Sequence, residues 1–301
     1  MRLVWIATVL IWAGGLFWFF APTVPRFLGG DRVTVLLLGV DQRTGPGGNR
    51  EPTRTDVMTL ITYDFATGRG GTLAIPRDLY VTIPGVKDSQ GRDLQDRINT
   101  AYFWGSARGL PGGGPALAKA TVGRALGVAV DHYARVDFAG FVKAVDAVGG
   151  VEVDVPRRLV DTQFPKDDDS GVQTIVFEAG RQRLDGRRAL QYVRTRNVDD
   201  DFGRNARQQQ VLQALRQKAL SVEAIPQLPT LFAALGDSLH TDVSTVTFAR
   251  LALALRNADS GQIVNGRIDE NAARQTTLPD GAQVLIPSPD ELQRAVRGVF
   301  N

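Results

Sequence analysis

The sequence predicts a single α/β domain in which helices cover both sides of a mixed central β-sheet (an α-β-α arrangement). Residues 32–40 form an almost continuous apolar run, as expected of a strand buried on both faces. Residues 138–148 place apolar side chains at helical spacing, and residues 151–155 then alternate as a strand does. No linker is long enough to require a second domain, so one layered domain is the economical fold.

The composition is that of an ordinary globular protein, and it excludes several kinds of site. The 301 residues are 43% hydrophobic and 22% charged, with a net charge of +3 at pH 7, which allows one large core or two modest ones. No cysteine is present, which excludes disulfides, thiolate metal sites and a cysteine nucleophile. Two histidines, His132 and His240, are too few for a zinc site without carboxylate ligands.

The amino-terminal segment is predicted to anchor the chain in a membrane. Residues 3–21 contain no charged side chain and are long enough to cross a bilayer as a helix. Arg2 precedes this segment, so the positive-inside rule places the remaining chain outside the cytoplasm. A cleaved signal peptide is the alternative, but the apolar run exceeds a usual signal core and no small-x-small site follows. The predicted organisation is a cytoplasmic end with a transmembrane helix at 1–22, a linker at 23–32 and an extracytoplasmic domain at 33–301.

Within the domain, the remaining elements follow from periodicity and turn residues. Asp137 is the expected N-cap of the helix at 138–148, and Gly149-Gly150 its expected end. The polar stretch at 157–172 is expected to be a surface loop. Further strands are predicted at 57–63, 72–75 and 283–286, and further helices at 97–106, 116–126, 229–236, 244–256 and 289–299.

Arginines that lie close to aspartates recur along the domain. They occur in Arg54-Thr55-Asp56, Arg77-Asp78, Arg194-Thr195-Arg196 and Asp201-Phe202-Gly203-Arg204, with Asp41 just upstream. A guanidinium presents a planar fork of donors that matches phosphate oxygens and stays charged at physiological pH. A hard divalent cation such as Mg²⁺ is the usual reason for carboxylates among such arginines. The pattern therefore predicts a pyrophosphate site with a carboxylate-bound metal.

Two local patterns refine this site. Arg194 and Arg196 are two residues apart, which would place them on one face of an expected strand. Arg204 and Gln208 lie on the same helical line as the apolar Val211 and Leu215, so they should point inward. An inward arginine requires an anionic partner, because an unpaired buried charge is expensive.

Each signal also has a structural interpretation. An arginine beside an aspartate is often a surface ion pair that contributes under about 1 kcal/mol. Asp41, at the end of a buried strand, equally suits a helix cap or a turn. Apolar residues such as Phe138 and Phe141 could line a lipid pocket or fill the core.

Seven sequence blocks in order resemble the LytR-CpsA-Psr family of bacterial cell-envelope phosphotransferases. They are LLLGVDQR, RTDVMTL, IPRDLYVTIPG, RINTAY, VDFAGFVKAVDAVGGVEVDV, LDGRRALQYVRTR and DFGRNARQQ. All lie in a motif core at 33–220, and residues 221–301 are expected to pack on it as an extension.

The resemblance implies transfer of a glycan phosphate from an undecaprenyl-pyrophosphate carrier to peptidoglycan or another wall acceptor, at the membrane and without nucleic acid. It implies Mg²⁺, with Mn²⁺ as a substitute, and a hydrophobic pocket for the lipid tail. By motif, Asp41 and Asp56 would be metal ligands and, with Arg77 and Arg196, catalytic. The pyrophosphate ligands would be Arg54, Arg77, Arg97, Arg194, Arg196 and Arg204, with Gln208 beside them. Arg43 and Asp78 match the motifs without a defined role, and Arg97 stands where the family usually has lysine.

Two alternatives to a transferase remain at this stage. In a lipid-pyrophosphate hydrolase, water would replace the sugar acceptor at the same site. A non-catalytic regulator of envelope synthesis is the other, although no helix-turn-helix pattern is visible in the sequence.

Overall fold

The computed structural model describes residues 32–40, 53–166, 170–195, 201–219, 235–257 and 262–300. The predicted transmembrane helix, the linker up to residue 31, most of the helix expected at 229–236, and Asp41, Arg43 and Arg196 lie outside the described residues. Among the residues described, no helix combines the length and the apolar character needed to cross a membrane.

A six-stranded mixed sheet lies at the centre of the domain, as predicted. In sheet order its strands are β11 (Leu239–Thr241), β6 (His132–Asp137), β1 (Arg32–Val40), β2 (Thr55–Asp64), β3 (Arg69–Ile75) and β12 (Ile263–Arg267). Strand β1 is parallel to β6 and antiparallel to β2, while β3 is antiparallel to β2 and parallel to β12. The domain is therefore built around one sheet with both pairing modes.

The other described elements are antiparallel strand pairs and helices. The strand pairs are β4 (Tyr80–Lys87) with β5 (Asp93–Arg97), β7 (Val151–Val155) with β10 (Gly180–Leu184), β8 (Leu159–Pro165) with β9 (Val172–Phe177), and β13 (Ala273–Thr277) with β14 (Gln283–Pro287). The helices are α1 (Thr100–Ala107), α2 (Gly113–Leu126), α3 (Phe138–Ala147), α4 (Gly186–Arg194), α5 (Asp201–Ala219), α6 (Thr245–Asn257) and α7 (Pro289–Phe300).

The two faces of the sheet meet different layers. Leu36 and Leu38 of β1, with Leu60 of β2 and Leu73 of β3, enter a first core shared with α1, α2 and α7. Burying a leucine side chain contributes roughly 1.5–3 kcal/mol, so this face fixes the register of the sheet. Helix α5 lies over the opposite face, and a second core joins it to α3, α4 and strands β7 to β10. Helices thus cover both faces, as predicted.

The local signals around α3 are confirmed. The side chain of Asp137 accepts a hydrogen bond from the Gly140 amide at 2.8 Å, which caps the helix. Gly149 and Gly150 have φ values of 76° and 87°, a backbone conformation that ends a helix at little cost only for glycine.

One expected boundary and one expected assignment are wrong. The helix expected at 97–106 is present but begins at Thr100, because Asp93–Arg97 forms β5 and pairs with β4. The stretch expected to be a loop at 157–172 contains β8, which pairs with β9 and buries Phe164. In both places polar side chains on the solvent side hide the strand pattern.

Arg194 ends helix α4, so the expectation of a strand at this position is also wrong. Asp185 caps this helix by accepting a hydrogen bond from the Arg188 amide at 2.8 Å. Ala189, Leu190 and Val193 are buried at helical spacing and pack in the second core. Residues 196–200 lie outside the described residues, so the strand position of Arg196 stays a prediction.

Arg207 joins α4 to α5. Its guanidinium is buried, with Nε donating to the Tyr192 carbonyl at 3.0 Å and Nη2 donating to the Thr195 carbonyl at 2.6 Å. The last carbonyls of a helix have no partner within the helix, and an arginine side chain can supply their donors. Arg207 therefore fixes the end of α4, and with it the position of Arg194.

We expect Arg207→Ala to lower the free energy of unfolding by about 2–4 kcal/mol, because two buried carbonyls lose their donors. Urea titration followed by circular dichroism measures this change. Gln217→Ala, on an exposed position of the same helix, is the control and should change stability by less than about 0.5 kcal/mol. Equal stability of the two variants would contradict the role of Arg207.

Candidate active site

The strand register brings several chain segments to one edge of the sheet. Val40, the last residue of β1, pairs with Thr55 at the start of β2 and with Asp137 at the end of β6. Met58 of β2 pairs with Ile75, the last residue of β3. We call this the site edge. Ligand sites in α/β proteins favour the carboxyl ends of strands, and β1, β3 and β6 all end here.

Asp56, Arg77 and Asp78 form an ion-pair cluster at the site edge. Arg77 Nη1 donates to Asp56 Oδ1 at 2.7 Å, and Arg77 Nε donates to Asp78 Oδ2 at 3.3 Å. The three side chains are between 21% and 28% exposed, so they are partly shielded but open to a ligand. Two of the predicted site residues, Asp56 and Arg77, are thus in direct contact.

Arg97 belongs to the same cluster. It is the last residue of β5, and its Nε lies 3.3 Å from Asp78 Oδ1. Its Nε and Nη2 also donate to the carbonyl of Gln283 in β14, at 3.2 and 2.9 Å. The structure therefore connects Arg97 to a carboxylate and to the carboxyl-terminal part of the domain.

Asn99 holds the backbone of the site together, and sequence reasoning did not single it out. Its amide donates to the Arg77 carbonyl at 3.3 Å, and its carbonyl accepts from the Thr55 amide at 3.5 Å. The residue is 5% exposed. One buried residue thus joins the start of β2 to the loop after β3, and its place within the RINTAY block was the available signal.

The other predicted arginines lie on different segments of the chain. Arg54 is exposed immediately before β2. The guanidinium carbon of Arg194 lies 4.3 Å from the centroid of the Phe138 ring and 5.2 Å from that of Phe164. Phe138 directly follows Asp137, so this cation–π contact orients Arg194 next to the site edge.

Arg204 and Gln208 lie one turn apart on α5. Arg204 is only 7% exposed, which confirms that it points inward, and Gln208 is half-buried. The two residues precede the part of α5 that covers the sheet. Asp41, Arg43 and Arg196 are outside the described residues, so their places in the site remain predictions.

A cavity of about 170 Å³ separates the second face of the sheet from α5. Its walls come from β1, β2, β3, β12 and α5, and include Leu37, Thr59, Ile61, Ala74, Leu212 and Ile263. Along the strands, Thr59 is three residues from Asp56, and Ala74 is three residues from Arg77. At about 3.3 Å per residue, these wall residues are roughly 10 Å along the chain from Asp56 and Arg77.

Phe138 and Phe141 are half-buried and pack against the second core, and neither lines the cavity between the sheet and α5.

The residues present at the site edge suit a magnesium ion. Mg²⁺ prefers carboxylate oxygens, and it commonly uses one or two carboxylates together with substrate phosphates and water. Asp56 offers such an oxygen ligand beside Arg77. Across the described residues, no group of three or more acidic, histidine or cysteine side chains could hold a metal ion by itself.

Comparisons with known proteins support the fold and identify the family. The model of the LytR_cpsA_psr family matches residues 24–297. A protein of Oceanobacillus iheyensis named polyisoprenyl-teichoic acid–peptidoglycan teichoic acid transferase TagU is 37% identical over 215 residues, which is 71% of this chain and 59% of that protein. The TagU of Enterococcus faecalis is 34% identical over 271 residues, covering 89% of this chain and 78% of its own.

The crystal structure of Bacillus subtilis TagV superposes with a TM-score of 0.71 at 26% identity, covering 90% of this chain and 96% of that one. The chain spans about three fifths of the first of these relatives, 59% of its length. The family match covers most of the chain, and the predicted blocks lie within it. The protein belongs to the LytR_cpsA_psr family.

Proposed function

We propose that this protein is a phosphotransferase that moves a glycan phosphate from a polyprenyl-pyrophosphate carrier to a hydroxyl group of a cell-wall glycan. The names of two relatives describe transfer of teichoic acid from a polyisoprenyl carrier to peptidoglycan. The main support is one observation in this chain. Arginines and carboxylates from separate segments meet at the site edge, beside an apolar cavity.

The arginines would bind the diphosphate and stabilise the charge that develops on it. Arg77 is already oriented by two carboxylates, so it needs little reorganisation when substrate binds. Arg54, Arg194, Arg196 and Arg204 would add positive charge from β2, α4, the segment after it and α5. Such fixed charges usually provide the largest contribution to phosphoryl transfer.

Asp56, with Asp41 as predicted from the sequence, would hold Mg²⁺ or Mn²⁺. When bound, the ion would neutralise negative charge on the diphosphate oxygens. Asp41 directly follows Val40, whose partner Thr55 directly precedes Asp56. This pairing supports the assignment of the two aspartates to one ion.

The proposed reaction forms a bond between the acceptor oxygen and the sugar-linked phosphorus. The bond from that phosphorus to the bridging oxygen breaks, and polyprenyl phosphate leaves. The hydroxyl proton passes to a carboxylate at the site edge, either Asp41 or Asp56. Water in place of the sugar hydroxyl would give hydrolysis at the same residues.

The cavity between the sheet and α5 would bind the first part of the polyprenyl chain. Its lining combines aliphatic side chains with threonine and amide side chains, and Thr59 and Ala74 in its walls are each three residues along the chain from the ion-pair cluster. A lipid in this cavity would place its pyrophosphate at the site edge. Each methylene group removed from water would contribute about 0.8 kcal/mol to binding.

We expect Arg77→Ala to reduce transfer by about 100- to 1000-fold, because one fixed donor to the developing charge is lost. Arg196→Ala should have a comparable effect. The measurement follows labelled glycan phosphate from a lipid-linked donor to peptidoglycan, using the full-length protein in detergent. Arg181→Ala is the control, since Arg181 is an exposed arginine of β10 that is paired with Glu152 of β7.

Full activity of both Arg77→Ala and Arg196→Ala would refute the assignment of these arginines to the active site.

Product analysis with and without acceptor separates transfer from hydrolysis. A glycan-phosphate adduct must form for transfer, whereas release of free glycan phosphate in both cases would identify a hydrolase.

Ala74→Phe should fill part of the cavity and exclude about two methylene groups of the lipid. At about 0.8 kcal/mol each, KM for a long-chain donor should rise by about tenfold. A water-soluble donor with a very short lipid should keep its KM. Ala129→Phe, at a separate cavity lined by Arg32 and Phe300, is the control. An equal KM for both long-chain and short-chain donors in Ala74→Phe would contradict lipid binding in this cavity.

The proposed location is the cell membrane, with the amino terminus in the cytoplasm and the catalytic domain outside. Alkaline phosphatase fused to the carboxyl terminus should be active, because this enzyme folds only outside the cytoplasm. Signal from a reporter that works only in the cytoplasm would instead favour the regulatory alternative.

A further inference from the structure

Arg97 lies within a continuous line of polar contacts that ends at Asp56. Its Nε and Nη2 donate to the Gln283 carbonyl, and its Nε lies 3.3 Å from Asp78 Oδ1. The other oxygen of Asp78 accepts from Arg77 Nε at 3.3 Å, and Arg77 Nη1 donates to Asp56 Oδ1 at 2.7 Å. The order is Gln283, Arg97, Asp78, Arg77 and Asp56.

This arrangement leaves Asp78 little freedom. Each of its carboxylate oxygens faces a different guanidinium, so rotation of the carboxylate breaks at least one contact. Arg77 is in turn held at Nε by Asp78 and at Nη1 by Asp56. Two nitrogens on different edges of the planar guanidinium are thus held, which sets the plane of the Arg77 side chain.

The charge of Arg97 is balanced within the line. Arg77 and Arg97 carry two positive charges, and Asp56 and Asp78 carry two negative charges. Arg97 also uses Nε and Nη2 on a neutral carbonyl. Arg97 therefore has two donors bound to the backbone of β14, whereas the two donors of Arg77 described above both contact carboxylates of the site edge.

The anchor at Gln283 is itself fixed to the loop that carries Arg77. The Leu285 amide donates to the Asp78 carbonyl at 2.9 Å, and Leu285 forms a parallel bridge with the fully buried Leu79. The Ile98 amide donates to the Leu79 carbonyl at 2.7 Å. Gln283, which accepts from Arg97, and Asp78, which Arg97 faces, are therefore held together by backbone hydrogen bonds in one rigid unit.

We propose that Arg97 is a positioning residue, which fixes Asp78 and through it the orientation of Arg77, and that it does not bind the diphosphate. This inference rests on the proposed function for its kinetic consequence. It also gives the carboxyl-terminal strand β14 a part in the site, through the backbone carbonyl of Gln283 rather than through a side chain.

The kinetic experiment compares Arg97→Ala, Asp78→Asn and the double variant in the full-length protein, with a long-chain lipid-diphosphate donor. Each single change should lower kcat by about 10- to 100-fold, with KM within about twofold, as for residues that orient a reacting group. Because both residues act through the same contact, the double variant should be no slower than the slower single variant.

Arg92→Ala is the matched control. Arg92 also contacts a carboxylate through Nε and Nη2, that of Asp88, in the connection between β4 and β5. Its removal should leave kcat and KM unchanged. The proposal is overturned if Arg97→Ala raises KM tenfold with kcat unchanged, and if the loss of activity in the double variant equals the product of the two single losses. Arg97 would then be a diphosphate ligand.

A second measurement does not depend on turnover. The Arg77 Nε–H group, assigned in ¹⁵N spectra by its loss in Arg77→Ala, should exchange slowly with water because it donates to Asp78. Its exchange should become faster in Arg97→Ala and stay unchanged in Arg92→Ala. An unchanged exchange rate in Arg97→Ala overturns the positioning role. Absence of transfer by the wild-type protein, by contrast, overturns the proposed function while this signal still tests Arg97.

Discussion

The pairing of β1 with its two neighbours is the constraint on which the site depends. Val40 pairs with Thr55 on one side and with Asp137 on the other. A shift of one residue in this register would turn Asp56 to the opposite face of the sheet and expose the leucines that fill the first core. Burial of Leu36, Leu38 and their partners therefore also determines where the charged residues lie.

The two faces of the sheet perform different tasks. The face toward α1, α2 and α7 is closely packed and stabilises the domain. The face toward α5 leaves an apolar cavity between the sheet and the second core. A protein that binds a lipid needs such incomplete packing near its polar site. The associated loss of packing contacts is offset by the cores on either side.

Much of the fold is predictable from the sequence, because some elements have strong local signals. Strand β1 is apolar throughout, and α3 has both an N-cap and a glycine end. The pairs β4–β5 and β8–β9 lack such signals. Their pairing is interrupted by register shifts, and their outer faces are polar. Arg194 follows the short apolar pair Tyr192-Val193, which looks like a strand unless the cap at Asp185 is noticed.

The candidate site is predictable only as a list of charged residues. The motifs identify Asp56 and Arg77, whose contact the structure shows. The bond from Arg97 to Gln283 joins residues 186 positions apart, and no local pattern could indicate it. The buried position of Arg207 could have been predicted from the sequence, since it lies one turn beyond Arg204 on the same helix.

Both outermost strands of the central sheet come from beyond the motif core. Strand β11 covers β6, and β12 covers β3. Without residues 235–267, the backbone N–H and C=O groups along one side of each inner strand would face water, and such open edges favour pairing between molecules. The carboxyl-terminal part of the chain therefore completes both edges of the sheet whose inner strands carry the family motifs.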